Sequence, residues 1–101
     1  LYGVTKLFGE DIGRYYALTS DLSVINLRIS SCGPVDEAGP GRAQASWSSY
    51  RDLQQLTIKC IEAPADLKFD IFWATSDNRK LFRDNAHAKD VLGYAPQDGV
   101  K

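Results

Sequence analysis

The 101-residue chain contains no methionine, one histidine and two cysteines. No apolar run approaches the ~18 residues that a membrane-spanning helix needs, so a membrane is not an expected partner. Twelve basic residues against thirteen acidic ones leave a formal net charge of −1. Without an excess of cations to follow a phosphate backbone, nucleic acid is not expected either. Cys32 and Cys60 lie far apart, with no Cys-x-x-Cys pair and no histidine at ligand spacing, which speaks against a zinc site and against a disulfide framework. A reducing cytoplasm is the compartment that fits this usage. The opening Leu1-Tyr2-Gly3 has neither an initiating methionine nor the charged and apolar regions of a signal peptide. The chain is therefore expected to be a portion of a longer protein, forming a single unit over residues 1–101.

What is present has the rhythm of an α/β chain. From Gly3 to about Thr19, Val4, Leu7, Phe8, Ile12, Tyr15 and Tyr16 recur at three- and four-residue steps, which predicts an amphipathic helix. At about 100° per residue, Tyr2, Lys6, Gly9 and Gly13 form a second, narrow stripe along the same helix. Glycines weaken a helix interior, so something is expected to approach that stripe closely. Leu22–Ser30 then reads as a strand, with Ile25, Leu27 and Ile29 on one face. Residues 31–49 are rich in Gly and Pro and predict a long irregular segment, of the kind that is usually functional or disordered. Ser49-Tyr50-Arg51-Asp52 resembles a capping box for a helix burying Leu53, Leu56, Thr57, Cys60 and Ile61 and ending before Pro64. Leu67–Thr75 reads as a second strand. Asp84 is placed to cap a short helix that Gly93 closes. The predicted order is αβ, loop, αβα.

The feature with chemical content is Tyr2-Gly3-Val4-Thr5-Lys6. One helical turn apart, a phenol and an ammonium share a face, and a fixed positive charge favours the phenolate, which can act as a base. Such a base can take a hydroxyl proton from a sugar while hydride leaves the same carbon. A Tyr–Lys pair at this spacing also arises by chance, so its weight depends on the surrounding sequence.

That surrounding sequence is YGVTKLFGED, followed by NLRISSCGP, by a Trp-Ser-Ser-Tyr-Arg-Asp helix start, and by DNAHAKDVLGYAPQD. The succession resembles the carboxyl-terminal part of the extended short-chain dehydrogenase/reductases of the NAD-dependent epimerase/dehydratase group, most closely their uronate dehydrogenase branch. The resemblance implies an α/β fold, the carboxyl-terminal part of a Rossmann-type doubly wound parallel sheet. Residues 1–101 would be the carboxyl-terminal portion of one NAD(P)-binding domain. It further implies Tyr2 as catalytic base, with Lys6 holding the nicotinamide ribose and supporting Tyr2. Ile29 would line the nicotinamide pocket, Ser31 would contact substrate, and Arg42 would pair with a substrate carboxylate. The implied reaction is NAD-dependent oxidation of a hexuronate, a small sugar acid, to an aldarolactone, in an enzyme expected to self-associate. Ser30 stands where the family has glycine, Gly33 where it has a bulkier residue, and the loop before Arg42 is slightly longer.

Two alternatives go with this reading. One is a nucleotide-sugar epimerase, dehydratase or reductase using the same pair, and the other is a non-catalytic α/β fragment that self-associates through uncovered strand edges and helix faces. The glycine-rich phosphate-binding turn of the family is not in the chain, so these residues alone are expected to bind NAD poorly and to be inactive. His87 is expected on the surface, Cys32 as a small packing residue, and Trp47 and Trp73 as core or loop anchors. The turn Asp77-Asn78-Arg79 and the pair Arg51-Asp52 are expected to serve local structure.

Overall fold

The computed structural model describes residues 1–79 and 83–101. Along the chain run α1 (Tyr2–Thr19), β1 (Val24–Ile29), a 3-10 helix (Gly41–Ala45), α2 (Tyr50–Ile61), β2 (Phe69–Ala74) and α3 (Ala86–Leu92). β1 and β2 pair as a two-stranded parallel sheet, with α2 in the crossover that parallel neighbours require. The expected order of elements is found, and the irregular segment contains one short 3-10 helix starting at Gly41, directly after Gly39-Pro40. None of the described helices is long and apolar enough to cross a membrane. The chain divides into two compact units, Leu1–Asn26 with Pro64–Ile71, and Leu27–Ala63 with Phe72–Lys101.

In the first unit, the predicted close approach to the glycine stripe occurs at Gly13. A Cβ built there would lie 2.7 Å from Val24 Cγ1, so only glycine lets the helix come this near β1. Ala17, one turn on, is the buried residue of α1. The apolar face behaves differently from a core face: Val4, Leu7, Phe8, Ile12, Tyr15 and Tyr16 are all exposed. The helical wheel explains this, since Val4, Leu7, Phe8 and Tyr15 point roughly opposite to the stripe that meets the strands. Ser20 closes the helix by donating both its N–H (3.0 Å) and its hydroxyl (2.6 Å) to the Tyr16 carbonyl. Val24 N–H donates to Lys68 O at 2.8 Å, setting the start of the sheet register.

In the second unit the core is Leu56, Phe72, Ala74, Ala88 and Tyr94. Of the expected buried side of α2, only Leu56 is fully enclosed, while Thr57 and Ile61 are exposed. The residue buried with Leu56, one turn earlier, is Asp52 at 0% exposure. Ser49 caps α2, its hydroxyl accepting from Asp52 N–H at 3.2 Å. The reciprocal half of the capping box is absent, because Ser49 N–H donates to Ser76 Oγ instead. Ser76 Oγ in turn donates to Asp52 Oδ2 at 2.6 Å, and Gln97 N–H and Asp98 N–H donate to the same carboxyl at 2.7 and 3.1 Å. One acid thereby ties the start of α2 to the segment after β2 and to the tail.

The tail is laid alongside the segment after β2. Asp77 N–H donates to Asp98 O at 2.8 Å, Arg79 N–H to Val100 O at 2.6 Å, and Val100 N–H to Asn78 Oδ1 at 3.0 Å. A Cβ on Gly99 would collide with the Asp77 carbonyl, which makes that glycine a packing requirement. Arg51 grips Asp98 with two donors, Nε at 2.7 Å and Nη2 at 2.6 Å. Asp84 accepts from Ala86 N–H at 2.7 Å, and Gly93 closes α3 in the left-handed region at φ 67°.

Two outcomes are expected. Replacing Asp52 with Ala strands the buried Ser76 hydroxyl and two part-buried backbone donors, and should cost about 3 kcal/mol in urea unfolding, with faster amide exchange at Gln97, Asp98 and Val100. The paired Arg51 guanidinium, helped by a Ser49 hydrogen bond, holds the Asp98 carboxyl down to about 2. Because this group is lowered on folding, its contribution is complete above its unfolded value of about 4 and is lost as pH falls through about 2. A carboxyl NMR titration should give that midpoint, and Arg51→Gln should move it back up.

Candidate functional site

Tyr2 and Lys6 lie together on the first turns of α1. Lys6 Nζ sits 5.2 Å from the centroid of the Tyr2 ring, close enough for a cation–π contact, and both side chains are exposed, Tyr2 at 75%. The i, i+4 spacing of a helix produces this juxtaposition. Thr5, between them, is turned into the helix and donates its hydroxyl to Tyr2 O at 2.6 Å. Next on the same stripe, Gly9 has no atom within 4 Å of the position a Cβ would take, so the surface beside the pair is open.

The other proposed site residues belong to the second unit. Ile29 is the last residue of β1 and is 51% exposed. Ser31 forms an isolated parallel bridge with Trp47, and its carbonyl accepts from Ser48 N–H at 2.9 Å. Trp47 O then accepts from Ser76 N–H and from Asn78 Nδ2, both at 2.9 Å. The Trp47 segment is thereby bonded to residues just past the carboxyl ends of both strands, the region where open α/β sheets bind ligands. The start of the loop is fastened too, through Tyr50, whose hydroxyl donates to Gly33 O at 2.7 Å and whose N–H donates to Asp36 Oδ1 at 2.9 Å. Arg42 is exposed on the 3-10 helix, at the residue after Gly41, whose positive φ of 65° starts the turn. Tyr2 and Lys6 are therefore brought together in one unit, and Ile29, Ser31 and Arg42 fall in the other.

Several side chains take roles that the sequence did not signal. Asp52 and Asn78 are buried and organise the backbone around the Trp47 segment. Trp73 carries Arg28 and Arg83 guanidinium groups at 5.1 and 4.7 Å from its ring, and Arg83 also donates to Ser30 Oγ at 2.9 Å. The long range of these contacts in sequence hid them, since neither periodicity nor spacing marks residues that meet across a fold. Cys32 is exposed rather than packed, since the residue that the fold pins at this point is its neighbour Ser31, through the bridge to Trp47. His87 lies on the surface and stacks on the buried Phe72 ring at 4.9 Å. Among the described residues no cluster of His, Cys, Asp and Glu could hold a metal ion.

Comparison with known proteins brings these features together. No family model matches the chain. It is 44% identical over 102 residues to the NAD-dependent glucose-6-phosphate dehydrogenase of Haloferax volcanii, an alignment covering 97% of this chain and 37% of that one. It is 35% identical to the uronate dehydrogenase of Pseudomonas putida, covering 96% of this chain and 35% of the relative. In fold it matches the glucuronic acid dehydrogenase of Chromohalobacter salexigens with a TM-score of 0.86 and 33% identity, over 99% of this chain and 36% of that structure. The chain thus spans about a third of the length of the relatives it matches. Over that third, in sequence and in its Rossmann-type fold, it is a homologue of the NAD-dependent sugar dehydrogenases of the short-chain dehydrogenase/reductase kind, the uronate dehydrogenases among them.

Proposed function

We propose that the chain is the carboxyl-terminal portion of a single NAD-binding Rossmann-type domain, in an enzyme that oxidises a hexuronate at its anomeric carbon. The observation that carries this reading is the exposed Tyr2–Lys6 pair, with Lys6 Nζ 5.2 Å from the Tyr2 ring and open space beside Gly9. These residues fit the ribose end of NAD: Lys6 would hold the ribose hydroxyls, and Ile29, exposed at a strand's carboxyl end, would lie against the nicotinamide. NAD, when bound, supplies the acceptor for the hydride.

In the reaction, Tyr2 Oη as phenolate takes the proton of the anomeric hydroxyl while the C–H electron pair leaves as hydride, so that a carbonyl forms and the sugar becomes a lactone. The Lys6 ammonium stabilises the phenolate on the shared helix face. Ser31 orients the sugar through a hydrogen bond, and Arg42 pairs with the carboxylate, for which a planar two-pronged donor is suited. The 101 residues alone carry no glycine-rich phosphate turn, and their turnover is expected to be nil.

NAD reduction by the full-length enzyme tests this, with galacturonate, glucuronate, glucose 6-phosphate and a UDP-sugar as separate substrates. A hexuronate should be preferred, and Tyr2→Phe should lower kcat by about 10²-fold or more. Undiminished turnover by the Phe variant would remove the base. Preference for glucose 6-phosphate, the substrate named for the Haloferax volcanii relative, would replace the hexuronate.

The outward face of α1 supports a second element, self-association. Phe8 at 66% exposure lies with Val4, Leu7 and Tyr15 on the side turned from the strands, an apolar surface of the kind that pairs with a second copy. Sedimentation of the full-length protein should show an oligomer that Phe8→Glu together with Tyr15→Glu dissociates. An unchanged mass would exclude this face.

A further inference from the structure

Within the second unit, the 3-10 helix and the tail leave a cavity of about 260 Å³, lined by Gly41, Gln44, Ala45, Arg79, Val100 and Lys101. It is smaller than the roughly 300–1,000 Å³ of sites that enclose a drug-sized molecule, which limits it to a small ligand or to one end of a larger one. Its lining residues include Arg79, Lys101 and Gln44, and no aspartate or glutamate. Among the described residues neither Arg79 nor Lys101 is paired with an acid. Arg42, although on the same 3-10 helix, does not line the cavity.

The walls are held in place. Arg79 N–H donates to Val100 O at 2.6 Å, so the segment after β2 and the tail cannot part without breaking that bond. Val100 N–H is held by Asn78 Oδ1, and Asp98, two residues earlier, is gripped by Arg51 and by the buried Asp52. Unpaired cations on a fixed frame cost little further ordering when an anion arrives. The three polar residues come from three separate segments of the chain. A carboxylate is satisfied in one plane by a single guanidinium, whereas a tetrahedral dianion has three oxygens that can use donors spread in space.

We propose that this cavity binds a phosphate group, with Arg79 and Lys101 supplying the charge and Gln44 a neutral donor. The site is built entirely from residues outside Tyr2, Lys6, Ser31 and Arg42, and its occupancy does not require the oxidation reaction. Two sources share the chemistry, free inorganic phosphate and the phosphate end of a small ester.

Phosphorus NMR titration of the full-length protein at constant ionic strength separates them, using inorganic phosphate in one arm and glucose 6-phosphate in the other. Saturable binding is expected, and Arg79→Gln and Lys101→Gln should each weaken it about tenfold with the circular dichroism spectrum unchanged, since both side chains lie at the surface. Tighter binding of the ester assigns the cavity to a phosphorylated ligand, and equal binding assigns it to the free ion. Absence of saturation, insensitivity to both substitutions, or displacement by glucuronate at the same concentration would overturn the proposal. Because the readout is binding without NAD, failure here leaves the Tyr2 reading to its own assay.

Discussion

A carboxyl group with no solvent exposure is a liability unless every donor around it is used, and Asp52 uses them. Ser76 Oγ, Gln97 N–H and Asp98 N–H converge on its two oxygens, while its own N–H is taken by the Ser49 cap. Burying such a group unsatisfied would cost several kcal/mol, so the geometry of all four partners is constrained together. Through them the start of α2, the exit from β2 and the chain's tail become one arrangement. The Trp47 segment, bonded to Ser31 on one side and to Ser76 and Asn78 on the other, takes its position from the same arrangement. Much of what surrounds the strand ends therefore traces back to one buried acid.

The first unit works by a different device. There a missing side chain, at Gly13, lets α1 approach Val24, and Ala17 continues the contact. Small residues on the inward stripe oblige the larger apolar residues to stand elsewhere on the helix. The consequence is an exposed row of Val4, Leu7, Phe8 and Tyr15, and an open surface next to Tyr2 and Lys6. Close approach and the open surface beside Tyr2 and Lys6 are two results of the same narrow stripe, its carboxyl-terminal half closed by β1 and its amino-terminal half free.

Local features were legible where a single short-range interaction decides them. The start of α2 and the end of α3 follow from the Ser49 hydroxyl and Gly93, each acting within a few residues, whereas the N-cap position of α3 is taken by Asn85 and not by the expected Asp84. The strands followed from β-branched and aliphatic runs, and the Tyr2–Lys6 pair from helical spacing alone. What could not be read was which residue would leave its local role. Asp52 looks like half of a capping box, and nothing near it in sequence says that its side chain will turn inward to meet residues more than forty positions away. The buried face of α2 was misjudged for the same reason: an apolar pattern ranks hydrophobicity, while Asp52 reaches the interior through its hydrogen bonds. Cys32 and the outward row of α1 were likewise settled by what lies across the fold.

The amino-acid order by itself determined the succession of helices and strands, the family likeness, and the placing of a phenol and an ammonium on one helical face. These depend on interactions within about one turn of helix or one strand, which the chain carries wherever it is placed. Tertiary structure alone decided that an aspartate would hold the tail, that Arg79 and Lys101 would border one cavity, and that two arginines would meet the Trp73 ring. Each of those requires segments distant in sequence to meet at hydrogen-bonding or van der Waals range, a condition set by the packing of the whole unit.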